Sequence, residues 1–237
     1  MLKKEPIHKI CVLGDSVLKG VVLDEFSGKY TFLKQDAVKA FAESHPLGVV
    51  NYSRFGSTVG RGMEKLKQAL RKEPDFDAAL LEFGGNDCDY NWDEVAKDPG
   101  GTHQPNTPHK KFKDTLVQMI ELLLSAGKRP FVMNLPPIDY KMYFNWISRG
   151  DSGRAKSLLS FLGDKSLIYR HQEYYSRMVE AVAQQYKLFV VNVRDAFLPV
   201  PRLSECLCAD GIHPNEKGHV LIERTFSDAY REAFESL

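Results

Sequence analysis

Five short apolar runs recur along the 237-residue chain, and segments with the apolar spacing of helices separate them. The runs are nearly continuous instead of alternating with polar residues, which is typical of strands buried on both faces of a parallel sheet. Alternating strands and helices connect by right-handed crossovers and place helices on both sides of the sheet. We therefore predict a three-layer α/β/α sandwich with a central five-stranded parallel sheet, and we expect the first run to be its central strand. The predicted strands are Ile7–Leu13, Gly48–Tyr52, Ala78–Phe83, Arg129–Leu135 and Leu188–Val193, and helices are predicted around 38–41, 63–70, 112–123 and 175–186 and after Pro214.

Two longer segments fit neither pattern. Residues 88–110 are polar and contain several prolines and glycines, whereas residues 138–170 carry many aromatic side chains. Insertions of this length are usually functional or mobile. Both follow predicted strands, at the sheet edge where open α/β folds place their sites. We therefore treat residues 1–237 as a single domain with loop insertions near 88–110 and 138–170.

The composition argues against several classes of partner. Lys and Arg total 32 and Asp and Glu total 31, so the net charge of +1 provides no broad basic surface for nucleic acid or an anionic membrane. No stretch approaches the roughly 20 apolar residues of a membrane span, and the first apolar run is too short for a signal peptide. The cysteines are sparse, and Cys206-Leu207-Cys208 lacks a second pair at zinc spacing. We expect a cytoplasmic protein with reduced thiols.

Four polar clusters stand at the ends of apolar runs or at the start of the last helix. They are Gly14-Asp15-Ser16, residues 51–56, residues 84–87 and residues 210–215. Because the carboxyl ends of parallel strands lie at one edge of a sheet, the first three clusters should converge there. The clusters supply a hydroxyl, an imidazole with a carboxylate three residues before it, an amide and glycine N–H groups. These groups are the parts of an acyl-transfer site.

Each cluster taken alone has an ordinary structural interpretation. Gly, Asp, Asn and Ser are common turn residues, and Asp210 suits the cap of a helix that starts near Pro214. The combination favours catalysis, because the structural interpretations would have to hold independently for all four clusters. The six histidines other than His213 are expected at the surface or in loops, since no zinc-binding spacing occurs among them.

The four clusters resemble the sequence blocks of the SGNH hydrolases, which are also called GDSL-type esterases and lipases. The resemblance spans nearly the whole chain, and it implies the flavodoxin-like fold of these hydrolases. Val17 replaces the usual leucine of the first block, and Cys88 follows the third block where an apolar residue is common. The residues that carry the resemblance are Gly14-Asp15-Ser16, Gly56, Gly84-Gly85-Asn86-Asp87 and Asp210-Gly211-Ile212-His213.

By this resemblance Ser16 is the nucleophile, His213 the general base and Asp210 the carboxylate that orients the base. The chemistry agrees, because a neutral serine hydroxyl needs a neighbouring imidazole to accept its proton during attack. An imidazole has an unperturbed pKa of about 6.5, which suits this role. The resemblance also assigns the oxyanion hole to the backbone N–H groups of Ser16 and Gly56 and to the side-chain amide of Asn86.

The aromatic residues of the two insertions are the candidates for substrate binding. Trp92, Tyr143 and Trp146 suit either an acyl pocket or a sugar platform. Asp15 is a further candidate, although we expect both Asp15 and Asp87 to hydrogen-bond to local backbone and hold their loops. The mechanism needs no metal and no cofactor, and the expected partner is a small-molecule ester. The sequence indicates no oligomeric state.

We expect a serine esterase that hydrolyses small carboxylic esters, with acetyl or short acyl groups on a carbohydrate or another small molecule. An alternative is an acyl-thioesterase or a lysophospholipase-type lipid acyl hydrolase. A catalytically silent carbohydrate-binding module on the same fold is a third interpretation, since a fold alone does not imply activity. A metallophosphoesterase is disfavoured, because no Asp-x-His follows the first strand.

Overall fold

The computed structural model, which describes residues 7–72 and 74–235, contains a five-stranded parallel sheet and a separate two-stranded hairpin. In chain order the strands are β1 (Lys9–Leu13), β2 (Val21–Asp24), β3 (Lys29–Phe32), β4 (Gly48–Asn51), β5 (Ala78–Leu81), β6 (Arg129–Met133) and β7 (Val190–Val191). The sheet order is β4-β1-β5-β6-β7, and all neighbouring strands are parallel. The predicted α/β fold with a five-stranded parallel sheet is confirmed.

Helices account for most of the remaining chain. Aspartate side chains cap several of them, as when Asp36 accepts hydrogen bonds from two first-turn N–H groups. Within the described residues, no helix has the length and apolar character needed to cross a bilayer. The helices are α1 (Ala37–Ser44), α2 (Val59–Lys72), α3 (Gly85–Cys88), α4 (Trp92–Lys97), α5 (His109–Ser125), α6 (Tyr140–Ser148), α7 (Ser152–Leu162), α8 (Leu167–Tyr186), α9 (Val193–Phe197) and α10 (Glu216–Tyr230), with a 3₁₀ turn at Leu203–Cys206 and a π turn at Arg231–Glu235.

Successive residues of the buried strands face opposite helical layers. Cys11 and Leu13 of β1 pack into a core with side chains from α2, α5 and α8. Val12, between them, packs into a second core with α1 and α10. Strand β5 alternates in the same way. This double burial explains why both strands are continuously apolar, since each buried leucine or valine contributes about 1.5–3 kcal/mol.

Two details of the sheet differ from the prediction. The central strand is β5, and β1 lies between β4 and β5. Strand β7 has two residues instead of the six predicted, because the Asn192 side chain accepts a hydrogen bond from the Asp195 N–H and starts α9. Neither change moves Ser16 from the carboxyl edge of the sheet, where it follows β1.

The antiparallel β2–β3 hairpin between Ser16 and α1 was not predicted. Every residue of β3 is exposed, so the hairpin lacks the apolar run that marks the strands of the sheet. Its turn contains Gly28 at a φ of 65°. The Leu23 N–H donates to Cys208 Sγ at 3.4 Å and links the hairpin to the segment that carries Asp210 and His213.

The segment 138–170, which was expected to be a loop insertion, is mainly helical. The Asp139 and Asp151 side chains cap α6 and α7, and α8 begins at Leu167. Buried side chains of these helices pack against α4 from the other insertion to form a third apolar core. The two insertions therefore make one continuous wall at the carboxyl edge of the sheet. The buried members of this core are Trp92, Val95, Ile138, Tyr143, Phe144, Ile147, Leu158, Leu162 and Ile168.

Candidate active site

Ser16, His213 and Asp210 form a hydrogen-bonded chain at the carboxyl edge of the sheet. His213 Nε2 lies 3.0 Å from Ser16 Oγ, and His213 Nδ1 lies 2.6 Å from Asp210 Oδ2. All three side chains are buried. Because Nδ1–H donates to the carboxylate, Nε2 is left as the acceptor that faces the serine hydroxyl. The structure thus brings together the nucleophile, base and carboxylate expected from the sequence.

The turn before α10 fixes the orientation of Asp210. Its Oδ1 accepts hydrogen bonds from the N–H groups of Ile212 and His213, at 3.0 and 3.1 Å. Burial works to raise the pKa of Asp210, but the hydrogen bond and charge of His213 and the two backbone donors outweigh it and hold the pKa below its ordinary value. The carboxylate is therefore ionised at neutral pH and accepts from Nδ1–H.

Gly211 allows this turn to pack closely against α6. Its φ is 76°, and a Cβ atom there would lie 2.8 Å from the Asp139 carbonyl oxygen and 2.6 Å from Met142 Cβ. Any other residue would be strained by the backbone conformation and would push the turn away from the helix. The backbone conformation and the close packing therefore explain why glycine stands between Asp210 and His213.

Of the expected oxyanion donors, Ser16 and Asn86 border the same cavity. Asn86, at the start of α3, donates one amide hydrogen to Asp15 Oδ2 at 2.9 Å, which fixes its side chain and leaves the second amide hydrogen for another acceptor. Gly56 has a φ of 68°, and a Cβ atom there would meet no protein atom within 4 Å. Its left-handed backbone conformation, and not crowding by the protein, is what favours glycine at this position.

A pair of buried acids, Asp15 and Glu82, supports the oxyanion side of the site. The Asp15 N–H donates to Glu82 Oε2 at 3.1 Å, and Asp15 Oδ1 accepts from the Val17 N–H at 2.9 Å. Burial, together with the charge of Asp15, raises the pKa of Glu82 well above its ordinary value. The raised pKa favours the protonated form of Glu82, which is the form that can donate a hydrogen bond, and Asp15 in turn holds Asn86.

Sequence reasoning missed Glu82, although a signal was present. A carboxyl residue at the end of the buried run AALLEF is unusual, because an unpaired charge there is costly. Gly14 fits the same arrangement, since a Cβ at that position would lie 2.7 Å from Glu82 Oε2.

Asp87 has a structural role, but it binds a distant backbone group, where the local backbone was expected. Its carboxyl oxygens accept hydrogen bonds from the Val59 N–H, at 3.0 and 3.1 Å, and so hold the start of α2. Burial raises the pKa of Asp87 to about 7 despite hydrogen bonds from Thr107 and Val59 that lower it. Its side chain therefore ties the loop that carries Asn86 to the rest of the domain.

Three partly exposed aromatic rings surround the entrance to the site, and we call them the aromatic mouth: Tyr30, Phe55 and Trp146. The Tyr30 ring lies 5.1 Å from the His213 ring, 5.1 Å from Phe55 and 6.4 Å from Trp146. Burial and the Asp210 carboxylate raise the pKa of Tyr30, so its hydroxyl stays protonated. Only Trp146 was predicted from the sequence, because the other two lie on a hairpin and a turn without any distinctive pattern.

A cavity of about 260 Å³ extends from Ser16 and His213 into the wall made by the two insertions. Trp92 and Tyr143, both predicted, contribute to this wall and donate hydrogen bonds to Asp89 Oδ1 at 2.7 and 2.9 Å. Asp15 also borders the cavity, but both of its carboxyl oxygens already accept protein hydrogen bonds. The apolar residues that border the cavity are Val17, Tyr30, Phe55, Cys88, Tyr90, Trp92, Leu135, Pro136, Ile138, Tyr143, Trp146, Ile147, Phe161, Leu162, Leu167, Ile168 and Ile212.

Two histidines differ from the expectation of surface or loop positions. His219 is buried on α10, its Nδ1 accepts from the Ala37 N–H at 3.2 Å, and burial lowers its pKa to about 4. His171 borders the cavity from α8, and burial likewise lowers its pKa to about 4. Across residues 7–72 and 74–235, no three His, Cys, Asp or Glu side chains are grouped so as to hold a metal ion.

Comparisons with known proteins identify the family and the fold. The family model described as GDSL-like lipase/acylhydrolase matches residues 12–221, whereas a comparison with curated proteins found no match. A lipase/acylhydrolase from Enterococcus faecalis has 21% sequence identity and a TM-score of 0.62, covering 95% of this chain and 96% of that chain. An acetyl xylan esterase from Geobacillus stearothermophilus has 19% identity and a TM-score of 0.63, covering 94% of each chain. The psychrotrophic esterase EstA from Pseudoalteromonas sp., inhibited by monoethylphosphonate, has 19% identity and a TM-score of 0.61, covering 95% and 98%. These three structures share the fold of this chain.

Proposed function

Because the chain belongs to the GDSL-like lipase/acylhydrolase family, whose members hydrolyse esters, we propose that it is a serine esterase with Ser16 as nucleophile. The observation that carries the proposal is the hydrogen-bonded chain from Ser16 Oγ through His213 to Asp210, with distances of 3.0 and 2.6 Å. An unconnected serine at a turn would need none of these contacts. A buried imidazole held between a hydroxyl and an ionised carboxylate is the arrangement that activates serine.

Acylation begins when Ser16 Oγ forms a bond to the carbonyl carbon of the ester and its proton passes to His213 Nε2. The carbonyl electron pair moves onto the oxygen, which becomes the oxyanion. When the oxyanion collapses, the bond to the alcohol oxygen breaks and His213 returns the proton to that oxygen. A neutral alcohol leaves, and the acyl group stays on Ser16. Asp210 keeps the imidazole in one tautomer and stabilises the imidazolium that forms.

Deacylation repeats the same sequence with water. A water molecule attacks the acyl carbon while His213 Nε2 accepts its proton, and collapse of the second oxyanion breaks the bond to Ser16 Oγ. His213 then protonates that oxygen, which releases the acid and restores the serine. In both steps the oxyanion accepts hydrogen bonds from the N–H groups of Ser16 and Gly56 and from Asn86. A preorganised donor of this kind is worth about 3 kcal/mol of the barrier.

The experiment is hydrolysis of p-nitrophenyl acetate and butyrate by wild type, Ser16→Ala and the control Ser53→Ala. Ser53 is a second buried serine at the same sheet edge, and its hydroxyl has no hydrogen-bond partner in the described part of the chain. We expect Ser16→Ala to lower kcat by at least about 10³-fold, while Ser53→Ala stays near wild type. A fluorophosphonate should add its mass to the peptide that contains Ser16. Turnover by folded Ser16→Ala at the wild-type rate would reject the assignment.

The proposal includes two substrate classes, and the cavity distinguishes between them. Acetyl or short acyl groups on a carbohydrate agree with the aromatic mouth, and one of the structures with the same fold is an acetyl xylan esterase. Longer acyl groups of the lipid type, as oxygen esters or thioesters, agree with the cavity behind Ser16, whose lining is mostly apolar. The cavity favours the second class, since an acetyl group would leave most of it empty.

We also propose a cytoplasmic location. Cys88, Cys206 and Cys208 are free and buried, which agrees with a reducing compartment. Subcellular fractionation with thiol alkylation tests this: the protein should be found in the cytosolic fraction with four alkylated cysteines after denaturation.

A further inference from the structure

We propose that His171 is a specificity-determining residue of the cavity and that it selects esters whose acyl group carries a hydroxyl. The inference rests on the proposed esterase function and concerns which ester this site accepts. The catalytic chemistry itself does not use His171, which borders the cavity from α8.

The His171 ring has an unused hydrogen-bond acceptor. Its Nε2 atom is buried and has no hydrogen-bond partner within the described residues. Burial and the charge of His109 lower the pKa of His171 to about 4, so the ring is neutral at neutral pH and carries one N–H. A hydrogen bond with the Cys88 backbone works to raise this pKa, which identifies the backbone group as the carbonyl. The N–H that donates to it is therefore at Nδ1, and Nε2 keeps a free lone pair.

Two other polar side chains of the same cavity have their partners within the protein. Asp89 accepts hydrogen bonds from neighbouring side chains at 2.7 and 2.9 Å. Gln172 donates to the Pro136 carbonyl oxygen at 2.8 Å and accepts from Arg194 at 2.6 Å. A buried acceptor without a partner is costly, so a ligand that brings a donor to His171 Nε2 gains free energy that a purely apolar ligand of the same shape does not.

The direction of the ester places its acyl group on the His171 side. Since His213 Nε2 returns the proton to the leaving oxygen, the alcohol lies beside His213. The rings next to His213 are Tyr30 and Phe55, which are 37% and 50% exposed. His171 instead packs 5.3 Å from the ring of Tyr175, which is fully buried. The alcohol is therefore directed towards solvent, and the acyl group is directed inward, towards His171.

Helix α3 connects His171 to the expected oxyanion hole. Asn86 is the second residue of this helix, and Cys88, whose carbonyl binds the His171 ring, is the last. A helix of these four residues is about 6 Å long. When the ester carbonyl oxygen lies at Asn86, a hydroxyl several bonds further along the acyl group is therefore within reach of His171.

A hydroxyl is the donor that suits this position. The free lone pair of a neutral imidazole accepts from an O–H or N–H group, and a carboxylate has neither to offer. An alkylammonium would have to lose its hydration among buried aliphatic side chains, which include Leu135, Leu162 and Ile168. An amide would bring a carbonyl for which these aliphatic side chains provide no donor. A hydroxyl on an otherwise apolar acyl group satisfies His171 at the lowest cost.

Three substitutions separate the acceptor from the shape of the ring. His171→Phe removes the acceptor but keeps a ring in contact with Tyr90 and Tyr175. His171→Gln keeps an acceptor oxygen that can replace Nε2. His109→Phe is the matched control, because the His109 ring lies 5.2 Å from His171 but does not border the cavity. Its Nε2 is likewise buried, with no partner in the part of the chain that the structure describes.

The experiment measures kcat/KM for ethyl hexanoate, ethyl 3-hydroxyhexanoate and ethyl 6-hydroxyhexanoate by titration of the released acid. These esters share the alcohol and the carbon chain, so the ratio of their kcat/KM values isolates the effect of the hydroxyl. We expect wild type to prefer the better hydroxy ester over ethyl hexanoate by about tenfold or more. The ratio should fall to one or below in His171→Phe, remain well above one in His171→Gln and keep its wild-type value in His109→Phe.

A measurement without any change of His171 covers the case in which His171→Phe does not fold. In Ser16→Ala labelled with nitrogen-15 histidine, the ester binds without reacting. The better hydroxy ester should shift the His171 Nε2 resonance more than ethyl hexanoate does, because only the hydroxyl donates to the lone pair. Equal shifts with the two esters would overturn the inference.

The results separate this inference from the proposed function. Hydrolysis that depends on Ser16 but is fastest with ethyl hexanoate, or a hydroxyl preference that is the same in His171→Phe as in wild type, would overturn the role of His171 and leave the esterase assignment intact. An equal loss of the preference in His109→Phe would also overturn it, because His109 does not border the cavity. Hydrolysis of every ester without dependence on Ser16 would overturn the esterase assignment itself.

Discussion

Replacement of Asp87 by asparagine tests whether the buried Asp87 carboxyl group, next to Asn86 in the chain, is protonated in the folded protein. The side chain is fully buried and accepts hydrogen bonds from the Val59 N–H at 3.0 and 3.1 Å. Burial raises its pKa from 3.8 to about 7. Asparagine keeps an acceptor oxygen for Val59 but cannot ionise, so Asp87→Asn removes the titration with little change of shape.

The size of the effect follows from proton linkage. Because the folded chain binds this proton more tightly than the unfolded chain, stability decreases as pH rises from 3.8 towards 7. At about 1.36 kcal/mol per pH unit, the interval corresponds to about 4 kcal/mol. About 3 kcal/mol of this falls between pH 4.5 and pH 8. Wild type therefore loses this stability on going to the higher pH, and Asp87→Asn does not.

The assay is urea unfolding followed by tryptophan fluorescence at pH 4.5, 6 and 8. We expect the difference in unfolding free energy between Asp87→Asn and wild type to change by about 3 kcal/mol in favour of the variant across this range. The control is Asp114→Asn on α5, whose carboxylate forms an exposed ion pair with Lys110 and should contribute at most about 1 kcal/mol at any pH. A difference for Asp87→Asn that does not depend on pH would refute the reasoning, since it would mean that the carboxyl is ionised throughout.

Substitutions at three further residues test the geometry of the site. Asn86→Ala should lower kcat by about 10²-fold with KM nearly unchanged in a steady-state ester assay, because it removes a donor used in the transition state; an equal change in KM would contradict this. Glu82→Gln should keep most of the activity, since an amide, like a protonated acid, can donate to Asp15, whereas Glu82→Leu should lower kcat; similar kcat values for the two variants would refute the support role. Gly211→Ala should destabilise the fold by about 2 kcal/mol through backbone strain, which in a domain of this size lowers the melting temperature in calorimetry by about 4–8 °C. An unchanged melting temperature would show that the turn tolerates the Cβ.

The sheet and the contact among Ser16, His213 and Asp210 were predictable because their signals are local. Strands buried on both faces must be continuously apolar, and the runs around Leu13 and Leu81 show this directly in the sequence. Ser16 follows the first of these runs, so the topology of a parallel sheet alone places it at the active edge. His213 and Asp210 were predictable as a pair because one short turn carries both of them.

The parts that were not predicted depend on contacts between distant segments. The β2–β3 hairpin is exposed, and nothing in the run KYTF indicates that Tyr30 lies against His213. The raised pKa of Glu82 depends on burial next to Asp15, which only the folded chain produces. The helices within 138–170 were overlooked because aromatic residues there suggested a binding surface, although Tyr143 and Ile147 have helical spacing.

The contact between Ser16 and His213 joins residues that are 197 positions apart in the chain. During synthesis on the ribosome, Ser16 therefore emerges long before His213. Helix α10 keeps the two ends of this long chain segment together, because its Ile222 and Phe226 pack in the same core as Val12 of β1. Contacts of such long range form late in folding. Ester hydrolysis by this chain should consequently report completed folding, and its recovery during refolding should follow the docking of the last helix and not the earlier formation of local structure.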